Sequence, residues 1–212
     1  DAGVIPMALA LEELGFKRYG HASRSLFATP PSGVQPIDAL TMKPKKSGQP
    51  FTQATYIMIT GDKALTGNIK DELKAATDTN NVNGEVVKVI IISRAGSEGL
   101  DFKNVRQMHI MDPWYNLNRE EQIIGRAVRN FSHCDLPYRE RNVEIFLYGT
   151  RLPNGIEAID LYLYRLAERK ARKVAIVTRA LKEIAVDCLL NRRGLDFSSD
   201  LLNSTVDQEL SN

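Results

Sequence analysis

The chain has 212 residues, 43% of them hydrophobic and 25% charged, enough for one domain with an appendage or two small ones with real cores. A net charge of +2 is too small to argue for nucleic acid by itself, so that case must rest on where particular residues stand. No apolar run approaches the roughly 20 residues that span a bilayer, the opening DAGVIPMALALEELGF lacks the basic n-region of a signal peptide, and two distant cysteines, Cys134 and Cys188, suit a reducing, intracellular setting better than a disulfide framework.

The first residues read as a helix entered without an initiating methionine, so a segment of a longer protein is expected. Ala8, Leu9, Leu11, Leu14 and Phe16 form one apolar helical stripe that Gly15 closes. From about Tyr19 to Ala54 the character changes: prolines gather between Pro30 and Pro50, and KPKKSGQP ends the stretch. A long, irregular and partly disordered surface insertion is expected there. Its Lys43, Lys45 and Lys46 can meet phosphates or simply line a solvated loop.

Tyr56-Ile57-Met58-Ile59-Thr60 predicts a buried strand ended by Gly61, followed by a polar helix over about Asn68–Thr77 and a turn at Asn80–Gly84. Val86–Ser93 (VVKVIIIS) is β-branched and apolar almost throughout, as in a parallel strand covered on both faces. A third strand is expected at Gln107–Asp112, a helix at Asn118–Asn130 and a fourth strand at Val143–Tyr148. Alternation of this kind specifies an open α/β sheet. From Ile156 to about Asn191 neither proline nor glycine interrupts a basic, amphipathic pattern, which predicts one long broken helix or a pair, then a tail after Gly194.

The chemistry concentrates between Ser93 and Arg129. Asn118 with Glu121 three positions on reads as a capping box. At about 100° per residue, Gln122, Gly125, Arg126 and Arg129 share a helical face. Two permanently charged guanidinium groups one turn apart, with a glycine that allows close approach, suit a triphosphate, and arginines brought from a second surface stabilise charge in phosphoryl transfer. Alone, QxxGRxxR equally describes an exposed helix with two surface arginines. Upstream, SRAGSEGLD opens at the carboxyl end of a parallel strand, where open α/β sheets bind ligands. Gly96 and Gly99 permit close backbone approach, Ser93 and Ser97 can hold a phosphate oxygen, and Asp101 can accept from a ribose hydroxyl. An ordinary turn would use the same glycines. His133–Cys134 lacks a second ligand pair, so no metal site is expected.

Taken together, Val87–Arg129 resembles motifs V and VI of superfamily 2 helicases: SRAGSEGLD stands as motif V and QIIGRAVR as motif VI. DPWYN, Asp112–Asn116, is similar to the DPWWN-type turn of chromatin-remodelling and viral ATPases. AIDLYLYRLAERKA and LKEIAVDCLLN resemble the C-terminal extension of helicases from large cytoplasmic DNA viruses, relatives of the small subunit of the poxvirus early transcription factor.

The resemblance implies a second RecA-like lobe over residues 1–150, with the insertion at about 19–54, and a helical extension and tail over 151–212. Its fold would be an open parallel sheet with helices on both faces. Arg129 would be the arginine finger, Arg126 a second γ-phosphate contact and Gln122 an organiser of the cleft, with Gly99, Asp101 and Gly125 beside the nucleotide. Thr60, Gly61, Ser93, Gly96 and Ser97 would touch a nucleic-acid backbone, DNA in preference to RNA. ATP and Mg2+ would be held mainly by another lobe, because this sequence has neither a GxxxxGK[ST] loop nor a DExx strand end. That lobe and transcription machinery are the implied partners, no membrane is involved, and a viral parent would act in host cytoplasm or the virion. The family's strand before the first helix is also missing, and Glu98 stands where DEAD-box relatives carry arginine. The chain alone is expected to be inactive. A non-catalytic docking module, a restriction-enzyme motor, and translocation without unwinding remain open alternatives.

Overall fold

The most deeply buried run is Tyr56-Ile57-Met58-Ile59, no residue of which is more than 1% exposed. The computed structural model describes residues 3–20, 25–29, 31–62, 65, 66, 68–94, 100–187 and 190. Strand β2 (Thr55–Ile59) lies between β1 (Lys17–Arg18) and β3 (Val89–Ile92), both parallel to it. Because side chains alternate across a strand, β2 feeds two cores. Tyr56 and Met58 meet Val4, Ala8 and Leu11 of helix α1 (Val4–Glu13) on one face. Ile57 and Ile59 meet Ala76 of helix α2 (Ile69–Thr77), Val87 and Phe102 on the other. Parallel strands flanked by helices on both faces are the architecture expected.

Local details differ from the sequence expectations in instructive ways. Leu14 caps α1 and is 60% exposed, whereas Glu12 turns inward. Its carboxylate accepts from the Tyr56 hydroxyl at 2.6 Å, the Ser25 hydroxyl at 2.6 Å and the Leu26 amide. Burial and that carboxylate push the Tyr56 phenol above its ordinary range. β1 was not expected at all. β3 is only half-buried, although its composition suits a strand covered on both faces, because it is an outer strand of this three-stranded sheet. Strands β4 (Gln107–Ile110) and β5 (Glu144–Leu147) form a separate two-stranded sheet in which His109 and Phe146 stack at 4.8 Å.

The described part of the insertion is irregular but pinned. Ala39 and Ala54 are fully buried. Asp38 accepts the amides of Thr52, Thr41 and Leu40 and the Thr41 hydroxyl. Those donors, the Thr52 and Thr41 amides foremost, hold its carboxyl at about 2, well below the ordinary 3.8. These contacts give the described part of the stretch a hub within its irregular course.

The chain divides into two compact units: Asp1–Ile110 with Gln122–Phe146, and Met111–Glu121 with Leu147–Asn212. In the second, helix α4 (Ile159–Glu183) is a single unbroken helix, not a pair. Its Ala167 is 1% exposed, and its Lys170 lies 4.7 Å over the Tyr115 ring and donates to Asn116 at 3.3 Å, so the DPWYN turn rests on it. Among the described residues, no helix is long and apolar enough to cross a membrane.

Candidate functional site

Helix α3 (Leu117–Ala127) begins one residue before the expected cap, so Asn118 lies in its first turn and does not cap it. The backward-reaching carboxylate is that of Glu120, 2% exposed, which accepts the Trp114 amide at 3.2 Å. Beyond that turn the helix carries Gln122, Gly125 and Arg126, and Arg129 follows its end. Gln122 is exposed and Arg126 half-buried. Among the described residues, a Cβ built on Gly125 would meet nothing within 4 Å, so this glycine leaves open space there and answers no packing need of theirs.

Both arginines reach the segment that follows β3. Arg126 Nη1 donates to the Leu100 carbonyl at 3.3 Å, and Arg129 Nη1 pairs with the Asp101 carboxylate while its Nε donates to the Gly125 carbonyl at 3.3 Å. Phe102, 6% exposed, anchors that segment in the core beside Ile57 and Ile59. The Arg129 and Asp101 side chains are 51% and 69% exposed. An ion pair so open to water contributes about 0–1 kcal/mol, which leaves its arginine easy to recruit elsewhere.

The residues expected on a nucleic-acid backbone are less uniform. Gly96, Ser97 and Gly99 lie outside the described residues. Ser93 stands at the end of β3, where its amide donates to Ile59 at 2.9 Å. Among the described residues its hydroxyl, shielded from solvent, meets no hydrogen-bond partner. Gly61 is exposed. Thr60 is buried and its hydroxyl is engaged within the following loop, 2.9 Å from the Thr66 hydroxyl and 3.1 Å from the Asp62 carbonyl. In this arrangement the Thr60 side chain shapes the loop that follows it.

Sequence reasoning missed Ser132 and His133. Ser132 is buried and bonded to Arg129, and both ring nitrogens of His133 are engaged, with Ser132 Oγ and the Val105 carbonyl. The only sequence signal was an adjacent His–Cys pair, which pointed to metals.

Residues 53–131 match the helicase conserved C-terminal domain. A protein named as an ATP-dependent RNA helicase in Acanthamoeba polyphaga mimivirus is 40% identical over 120 residues, 53% of this chain and 15% of that protein. One named as a helicase in Invertebrate iridescent virus 3 is 31% identical over 163 residues, 75% of this chain and 17% of that protein. An African swine fever virus protein named as a termination factor NPH-I homologue is 34% identical over 122 residues, 52% of this chain and 17% of that protein. The chain therefore spans less than a fifth of the length of each of these three. The segment that matches the helicase conserved C-terminal domain, residues 53–131, is the one that carries Arg126, Arg129 and the Leu100 and Asp101 they reach, in a chain similar to viral helicases.

Proposed function

We propose that this chain is the arginine-supplying second lobe of an ATP-dependent nucleic-acid motor. One observation carries the reading: Arg126 and Arg129 converge from α3 on Leu100 and Asp101, and Gly125 beside them leaves open space. Two exposed-to-half-buried guanidinium groups at a glycine-opened surface fit the oxygens of a triphosphate. In the intact parent, Arg129 exchanges Asp101 for the γ-phosphate when the lobes close, and Arg126 makes a second contact. Gln122 orders the cleft, while Asp101, released from Arg129, turns with Gly99 to the ribose. Gly61, Ser93, Gly96 and Ser97 hold successive phosphates of a strand, with Thr60 keeping their loop in shape.

Mg2+ would supply charge neutralisation at the phosphates and would be held by the other lobe. Among the described residues here, no group of three or more acidic, His or Cys side chains is placed to take it. The chain alone should turn over no ATP.

The decisive variant is Arg129→Ala in the intact parent. An arginine finger contributes about 10³–10⁵ in rate, so nucleic-acid-stimulated hydrolysis should fall by that order while nucleic-acid affinity holds. Turnover within a few-fold of the unmodified protein would sink the assignment. DNA is expected to stimulate more than RNA, and side-by-side titration of the two decides it. The likeness to a protein named as a termination factor homologue supports transcription machinery as a partner.

A further inference from the structure

Arg129 lies beyond the last residue of α3, where a helix no longer fixes the backbone, yet a charge-stabilising arginine must be held closely. The chain reverses just after it, at Phe131, whose φ is +63° and whose residue is 83% exposed. A bulky aromatic seldom takes that left-handed backbone, and a ring so exposed gains little packing to select it. The turn is held by its neighbours instead. Ser132 Oγ lies 3.3 Å from the Arg129 amide, 2.8 Å from the Arg129 carbonyl, 3.2 Å from the Ala127 carbonyl and 2.8 Å from His133 Nδ1. His133 Nε2 lies 2.8 Å from the Val105 carbonyl.

The directions follow from chemistry. A carbonyl only accepts, so Nε2 carries the proton and a neutral ring offers Nδ1 as acceptor. The Ser132 hydroxyl accepts the Arg129 amide, and its single proton is shared among the Arg129 carbonyl, the Ala127 carbonyl and His133 Nδ1. The contacts run from the Arg129 backbone through Ser132 Oγ to His133, whose Nε2–H ends on the Val105 carbonyl. A second bond, from the Asn104 amide to the Ser132 carbonyl at 2.8 Å, ties the same point to the turn that carries Asp101.

We propose that His133 is a positioning residue for Arg129: through Ser132 it locks the backbone of the finger to the segment that follows Asp101. The proposal rests on Arg129 being the finger. It also gives the His–Cys pair a purpose other than metal, since both ring nitrogens of His133 are already engaged.

The test is steady-state ATPase kinetics on the intact parent, with Arg129→Ala, His133→Ala, His133→Gln and the Arg129→Ala/His133→Ala double variant, each checked for a cooperative thermal transition. Misplacing a catalytic group by about 1 Å costs on the order of 10²-fold, so His133→Ala should lower kcat roughly 10- to 100-fold with KM for ATP and nucleic-acid affinity within about threefold. Gln offers one acceptor and one donor at similar reach and should restore kcat to within about threefold. Acting through Arg129, the His133 change should add nothing in the double variant. An additive loss, a matched loss of KM and affinity, or a folded His133→Ala with near-normal kcat would each overturn the proposal. If His133→Ala fails to fold, Ser132→Ala takes its place with the same expected kcat loss, and unchanged kcat there overturns it. A normal Arg129→Ala removes the underlying reading and this one together. An inactive Arg129→Ala beside a normal His133→Ala removes this one alone.

Discussion

Arg18 and Arg129 each stand against an acid, and the protein uses them in contrary ways. Arg18 ends β1, is 8% exposed, and donates to the Leu65 carbonyl, with its charge acting on Glu72, itself 4% exposed. Burial pushes the Glu72 carboxyl up and Arg18 pulls it back down. Arg129 and Asp101 remain largely in water. Removing the buried arginine leaves the Leu65 carbonyl without its donor, whereas an open pair exchanges its partner at little cost. A buried arginine within the sheet holds the fold, and one left largely in water is available for work.

The largest effect that tests this contrast is catalytic. Arg129→Ala should remove about 10³–10⁵ of the parent's rate yet shift the urea midpoint of this chain by no more than about 0.5 kcal/mol equivalent. Arg18→Met should do the reverse, destabilising the chain by about 1–3 kcal/mol in the same denaturation. Equal stability losses for the two would erase the distinction.

Two glycines sharpen it further. Gly15 has φ +98°, and a Cβ there would sit 2.1 Å from the Gln35 carbonyl oxygen. Gly15→Ala therefore forces backbone to move and should cost about 1–3 kcal/mol, read by thermal unfolding. Gly125→Ala, inside a helix with open space before it, should stabilise the chain by about 1 kcal/mol. In the parent it should nonetheless raise KM for ATP if that face meets the nucleotide.

The smallest effect is a pH dependence. Asp38 has a folded pKa of about 2, against an ordinary 3.8. Its stabilisation is complete above the unfolded value and is lost as pH falls from about 4 towards 2. Asp38→Asn should flatten that part of the acid-unfolding profile, and an unchanged profile would deny the hub its role.

Much of the fold was legible because it depends on period. The apolar run at Tyr56, the amphipathic stretches of α2, α3 and α4, and the strand near Glu144 all carry their pattern within a few residues. The pairing of Arg126 and Arg129 with the segment at Asp101 was legible for a related reason, since helical spacing and a strand end define one edge. What escaped was non-local. A two-residue strand such as Lys17–Arg18 has no period, and it exists only because Thr55 and Tyr56 offer a partner. Asp38 in a proline-rich stretch looks like a solvated acid until Thr52 returns to it. Asn81 looked like a plain turn residue, yet its amide donates to Ala76 and Val87 and accepts from the amides of Val86 and Val87, welding the end of α2 to the approach of β3. Strand composition alone did not reveal that β3 borders this sheet, nor did the His–Cys dipeptide show the clasp behind Arg129.

The pinned insertion bears on how the molecule assembles. β1 and β2 are separated by a long stretch, and closing a loop costs entropy that grows slowly with its length. Here the Ile37 amide binds the Gly15 carbonyl and the Ile37 carbonyl receives the Ala54 amide, so one long closure becomes two shorter ones. A segment whose composition suggests ornament thereby fastens the first edge of the sheet to its centre.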